Sequence, residues 1–151
     1  YENLRATIID LPQTIEHGKE IVSEMGFGSR IDFREGDMRQ LDWGEDEFDV
    51  VLMFNIIHIF SPDVGRELFA RAHRALRRGG KVVLLDAEHT GKRKRLSQSS
   101  GFNELLFFVV NGTQAYPEDE IRDWMREAGF SRIHKKKLLT VPMTLFLIGE
   151  K

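Results

Sequence analysis

The chain contains no cysteine, which excludes disulfide stapling and thiolate metal sites. No apolar run approaches the roughly 18–20 residues needed to cross a bilayer. The opening YENLRATIID lacks the charged-then-apolar pattern of a secretion signal. Neither sign of charge dominates: the formal net charge is −2, which gives no global attraction to nucleic acid. There are no internal repeats and no Pro/Gly/Ser-rich linker. A cytoplasmic, single-domain protein that binds neither membrane nor nucleic acid is the expectation from these absences. The first residue is Tyr1, and a strand follows almost at once, which leads us to expect a fragment of a longer protein.

What is present is an ordinary globular composition, 41% hydrophobic and 30% charged over 151 residues, enough to bury a sizeable core. The most informative stretch runs from Glu47 to Asp86. Asp49–Phe54 (DVVLMF) is an apolar run of strand length, as in a central strand covered on both faces. It ends at Asn55 and His58. Ser61 is a natural N-cap, Pro62 suits the first helical position and Asp63 favours the positive end of the helix dipole. Leu68, Phe69, Ala72 and Leu76 form that helix's apolar stripe, and Gly79-Gly80 is read as its stop. Lys81–Leu85 is a second buried strand, ending at Asp86. Open α/β sheets place ligands at such strand ends.

Upstream, Leu4–Ile9 reads as a strand ending at Asp10. A helix then runs from Pro12 to Gly26, with Ile15, Ile21, Val22 and Met25 on one face. Arg30–Arg34 alternates like a strand, and Glu35-Gly36-Asp37-Met38 turns away from it. Downstream, His89–Ser100 is a polar, basic and mobile stretch. Asn103–Val110 is ambiguous and favours a helix closing over a site. Pro117–Ala128 is a well-signalled helix with Ile121, Trp124, Met125 and Ala128 in register. Two strands, near Ser131–Lys137 and Thr144–Gly149, can pair as an antiparallel hairpin.

Each polar position has two readings. The strand-end carboxylate of Asp10, followed by Leu11, can accept both hydroxyls of a ribose or cap the next helix. Asp37 can take the exocyclic amine of adenine, with Met38 against the ring, or Gly36-Asp37 can be a plain turn. His58 can take a proton from a hydroxyl or be a half-buried histidine satisfied by backbone. Asp86 and Glu88 can orient a histidine or cap a loop. His17 and His73 read as surface helix residues, and His89 and His134 show no metal-ligand spacing. The basic run Gly91–Arg95 is most simply solvated. Leu105–Val109 is most simply core, or else the wall of an apolar pocket.

Taken in order, these segments resemble a family. LRATIIDLP, RIDFREGDM, DVVLMFNIIHIFSPD, RALRRGGKVVLLD and GTQAYPEDEIRDWMREAGF are similar to successive motifs of class I O-methyltransferases of the caffeate and polyketide type. The order and spacing agree from Leu4 to about Ile133. The resemblance implies an α/β Rossmann-like methyltransferase sheet, mostly parallel with a C-terminal antiparallel hairpin. It implies S-adenosyl-L-methionine as cofactor and a small hydroxyl compound, aromatic or polyketide-like, as acceptor. A homodimer is expected instead from the sheet edges that a missing strand leaves open, a gap that an N-terminal piece would equally repair.

Carried across position by position, it makes Asp10 and Leu11 ribose-side contacts, Asp37 and Met38 adenine contacts, and Asn55 a further cofactor contact. His58 falls on the general base and Asp86 on the acid that holds it; no metal is implied. Ile59-Phe60, Gln114 and Arg78 depart from the family's usual residues. The family's first strand and glycine-rich turn have no counterpart here, so the sheet lacks a central member and its open edges invite pairing. A truncated or inactive structural module is the alternative reading. A nicotinamide-dependent Rossmann enzyme fits worse, since its fingerprint is also absent.

Overall fold

The computed structural model describes residues 3–89, 91–92, 95–96, 98–138, 141 and 143–151. The chain forms two compact units, Tyr1–Trp43 and Gly44–Lys151. In the first, β1 (Ala6–Asp10) leads through α1 (Pro12–Glu24) to β2 (Ile31–Glu35). The two strands pair in parallel, from Ala6 opposite Ile31 to Asp10 opposite Glu35. Pro12 opens α1, because its fixed φ suits a first helical turn and its missing N–H is not needed there. Gly26 follows the helix at φ +73°, a conformation that glycine adopts without penalty. Ile15 and Val22 are buried, whereas Ile21 and Met25, expected on the same face, are exposed.

The second unit holds a four-stranded sheet in the order β3-β4-β8-β7. β3 (Phe48–Phe54) runs parallel to β4 (Leu76–Ala87). β8 (Thr144–Glu150) lies antiparallel between β4 and β7 (Ser131–Lys135), so the C-terminal hairpin is formed. A 3₁₀ turn (Ile57–Ile59) and α2 (Pro62–Ala75) join β3 to β4. The helix ends earlier than Gly79-Gly80 suggested: Leu76 already pairs with Phe48 in the parallel ladder, so the double glycine lies inside β4. Gly79 sits at φ +80° and its N–H donates to the Lys151 carbonyl at 3.0 Å.

Leu68, Phe69, Ala72 and Leu76 are fully buried, with Val82 and Leu84 of β4 and Leu145 and Leu147 of β8. Full burial of each such large apolar side chain favours folding by roughly 1.5–3 kcal/mol. α4 (Glu118–Glu127) buries Ile121, Trp124 and Met125. Its first turn carries Glu118, Asp119 and Glu120, favourable beside the helix's positive end.

Among the described residues β3 pairs with β4 alone, and Val50, Leu52 and Phe54 are exposed, Leu52 by 61%. β3 is therefore not covered on both faces. In the stretch expected to be a mobile polar loop, β5 (Gly91–Lys92) pairs with β6 (Arg95–Leu96), and α3 spans Gln98–Asn111. Arg93 and Lys94 of the basic run, like Thr90 and Ser97, lie outside the described residues. Among the described residues no helix is long and apolar enough to cross a membrane.

Candidate functional site

The polar strand ends fall in both units. In the first, Asp10 closes β1. Its Oδ1 accepts the Leu11 N–H at 2.7 Å, and its backbone carbonyl accepts the Gly36 N–H at 2.9 Å. Leu11, not Asp10, is the residue before α1, and no side chain caps that helix. Asp10 thus keeps a second carboxylate oxygen without a protein partner among the described residues. Leu11 is exposed beside it.

Asp37 begins a turn whose carbonyl accepts the N–H groups of Gln40 and Leu41. Its carboxylate is engaged by Arg39, through the backbone N–H at 2.9 Å and the guanidinium. Those hydrogen bonds hold the Asp37 carboxyl down at about 2. The Met38 carbonyl accepts the indole N–H of buried Trp43 at 2.9 Å. Trp43 therefore anchors this loop from below, a role that a lone tryptophan among acidic residues does not announce.

In the second unit, Asn55 follows β3 at φ +51°, a left-handed conformation that asparagine tolerates better than most residues. Its N–H donates to the Leu85 carbonyl at 2.8 Å, which ends the strand and starts the turn that carries His58. Asn55's side chain is exposed.

The structure brings His58 and Asp86 together. Asp86 is 2% exposed and is the one buried charged residue among those described. Its Oδ1 lies 2.6 Å from His58 Nδ1 and accepts the Ala87 N–H at 2.7 Å; its Oδ2 accepts the Ile57 N–H at 2.9 Å. A carboxylate only accepts hydrogen bonds, so it assigns the proton to Nδ1 and leaves the Nε2 lone pair free. Among the described residues Nε2 has no protein partner, and it is not sealed from solvent.

Two further hydrogen bonds fix the segment. Thr113 Oγ1 donates to the His58 carbonyl, and Tyr116 Oη donates to the Phe60 carbonyl at 2.6 Å. Burial, with the charges of Glu120 and Glu104, pushes the Tyr116 phenol up, so it remains a donor. The His58 ring stacks on Phe107 of α3, with centroids 4.1 Å apart. A cleft of about 540 Å³ is walled by Pro62, Leu105 and Phe108 and edged by Glu104, Thr113 and Tyr116. Its link to His58 is Thr113, which holds the His58 carbonyl, and the imidazole itself does not line it.

Several sequence readings change. Leu105, Leu106, Phe108 and Val109 are exposed rather than core. His73 is half-buried and meets Phe130 edge-on at 5.1 Å, and burial lowers its pKa. Glu88 pairs with Lys135 at 2.6 Å. His89 pairs with Glu104, the one acid of the apolar helix α3. Among the described residues no three His, Asp or Glu side chains cluster as a metal site would require.

The family described as "O-methyltransferase domain" matches residues 1–131. The chain is similar to the tetracenomycin polyketide synthesis 8-O-methyl transferase TcmO of Streptomyces glaucescens, with 28% identity over 152 residues. It is also similar to the S-adenosyl-L-methionine-dependent methyl transferase PigF of a Serratia species, with 24% identity over 155 residues. All of this chain aligns with each, and it spans 43% of the length of either relative. Among solved structures, an O-methyltransferase family 2 protein from Planctomyces limnophilus in complex with apigenin has the same fold. Its TM-score is 0.88 at 21% identity, and the match covers 100% of this chain and 44% of that one.

Proposed function

This chain belongs to the O-methyltransferase domain family, and on that premise we propose that the protein carrying it methylates the hydroxyl of a small aromatic or polyketide-like acceptor. The observation that carries this reading is the imidazole of His58, held through Nδ1 by buried Asp86 with Nε2 left free. S-adenosyl-L-methionine, when bound, supplies an electrophilic sulfonium methyl. Transfer of that methyl to the acceptor oxygen would break the methyl–sulfur bond and release the cofactor as its neutral thioether, and Nε2 of His58 would take the hydroxyl proton. Asp86 fixes the tautomer and stabilises the imidazolium that forms. Much of the remaining rate enhancement would come from holding oxygen and methyl in line. The cleft walled by Leu105 and Phe108 suits an apolar ring.

The strand-end residues fit a nucleoside on the side of Asp10, whose free oxygen can accept a ribose hydroxyl. An adenine amine approaching Asp37 would have to share oxygens that Arg39 engages, with Met38 against the ring. Leu11 and Asn55 are included in the same proposal as cofactor-side contacts. We extend the reading to a cytoplasmic homodimer in which residues 1–151 are part of one catalytic domain.

The test is His58→Ala in the full-length protein. Turnover is expected to fall by roughly 10²–10⁴-fold, the usual contribution of a general base, with cofactor affinity unchanged. Near-normal turnover would leave positioning alone to carry the chemistry. The exposed row Val50, Leu52 and Phe54 favours a second reading, in which this chain is an inactive structural or dimerising module. Micromolar binding of S-adenosyl-L-methionine to the 151-residue chain, measured by calorimetry, would overturn it.

A further inference from the structure

A second histidine–carboxylate pair stands beside the first. His89 Nδ1 lies 2.7 Å from Glu104 Oε1, both side chains being largely covered. His89 follows the end of β4, three residues beyond Asp86. Glu104 and Phe107 lie one turn apart on α3, so they share a face. One strand end therefore holds His58 through Asp86, and it grips through His89 the helix whose Phe107 lies on the His58 ring.

α3 needs such a grip. Between Gly101 and Asn111 no residue is fully buried. Phe102, Leu105, Leu106, Phe108, Val109 and Val110 all face solvent, so burial gives the helix little hold. Gly101, Asn103, Glu104 and Phe107 are the partly covered positions. Glu104 supplies the hydrogen bond to His89 on that face, and Thr113 fastens the chain just beyond the helix to the His58 carbonyl. A helix fastened by one face can slide or lift when a single fastening is lost, and Phe107 would leave the imidazole with it.

We propose that His89 and Glu104 are positioning residues: their pair seats α3 so that Phe107 fixes the plane of the His58 imidazole and Leu105 and Phe108 wall the acceptor cleft. The catalytic half of this statement rests on His58 being the base; the structural half does not.

The test reads the His58 ring protons by NMR in the 151-residue chain, with the signal assigned from its loss in His58→Gln. A phenyl ring stacked at 4.1 Å shifts those protons upfield, and Phe107→Leu gives the unstacked reference position. In His89→Ala and in Glu104→Ala the signal should move at least halfway to that reference, while the methyl signals of Leu145 and Leu147 stay in place to report an intact core. In the full-length protein the same variants should raise the acceptor KM about 3–10-fold while changing kcat less. His58 protons that stay at the wild-type position in both variants would overturn the proposal. Shifted protons in a protein with no transferase activity would leave the positioning intact and refute the functional reading instead.

Discussion

Replacing Asp86 by asparagine separates what this residue does for the fold from what it does for His58. The carboxylate accepts three hydrogen bonds, from Ile57 N–H, Ala87 N–H and His58 Nδ1. An asparagine amide has one acceptor oxygen and an NH₂ in place of the other. With the amide oxygen toward His58, the NH₂ would face the N–H of Ile57, a donor against a donor at a residue that is 1% exposed. With the amide turned over, Ile57 keeps its acceptor. The conflict then moves to the N–H of Ala87, which is half-buried where Ile57 is fully buried, and to Nδ1.

The second arrangement costs less, at the lower end of the ~1–3 kcal/mol for an unsatisfied buried group. For a chain of this size ~1 kcal/mol is about 2–4 °C in Tm. It also forces His58 into the other tautomer, with the proton on Nε2 and no lone pair there to take a proton. Asp86→Asn should therefore lower Tm by only about 2–4 °C. Turnover in the full-length protein should nevertheless fall nearly as far as in His58→Ala, within the roughly 10²–10⁴-fold span of a general base. Thermal unfolding, turnover and the ¹⁵N shifts of the His58 ring read the three consequences separately. Turnover within about threefold of wild type alongside a lowered Tm would refute the reasoning and make Asp86 a purely structural acceptor.

Gly65→Ala in α2 should destabilise, although alanine is the better helix former by about 1 kcal/mol. Its Cβ would lie 2.7 Å from the ring of Trp124, a fully buried side chain, and overpacking of this kind costs about 1–3 kcal/mol; a raised denaturation midpoint would contradict this. Asp37 should titrate by NMR near 2, and Arg39→Ala should return it toward the ordinary carboxylate range. Because the folded-state value is depressed, this pair's contribution to stability is present above the unfolded-state pKa, about 3.8, and is lost as pH falls through 2; a midpoint unchanged by Arg39→Ala would show that the pairing does not cause the shift.

Much of the second unit was legible because its signals are local. The run DVVLMF, the Ser61-Pro62 opening and the stripe Leu68, Phe69 and Ala72 each state their structure within a few residues. So does the acidic start of α4. The end of α2 was misplaced because Leu76 is claimed by Phe48, 28 positions upstream, and a ladder partner leaves no mark on the helix sequence. The exposure of Ile21 and Met25 has the same origin: periodicity names a face but not what covers it. Of the candidate site, the strand-end residues could be read from their position. The pairing of His89 with Glu104 and the stacking of Phe107 on His58 could not, since both arise where separate elements meet. Arg39's hold on Asp37 is local, and the hydrogen-bonding reach of an arginine two residues on could have suggested it.

The position of β8 bears on how the protein is made. The last strand of the chain lies between β4 and β7, so both must wait for it. At about 5–20 residues per second, about 3–13 s pass between synthesis of Ala87 and of Glu150. During that interval β4 has all its residues but lacks its neighbour along the edge from Lys81 to Ala87. Val82 and Leu84 are then without the packing that Leu145 and Leu147 bring. Every ribosome making this protein therefore exposes, for seconds, an apolar strand whose partner has not yet been translated, and chaperone supply during synthesis should govern the yield of folded protein.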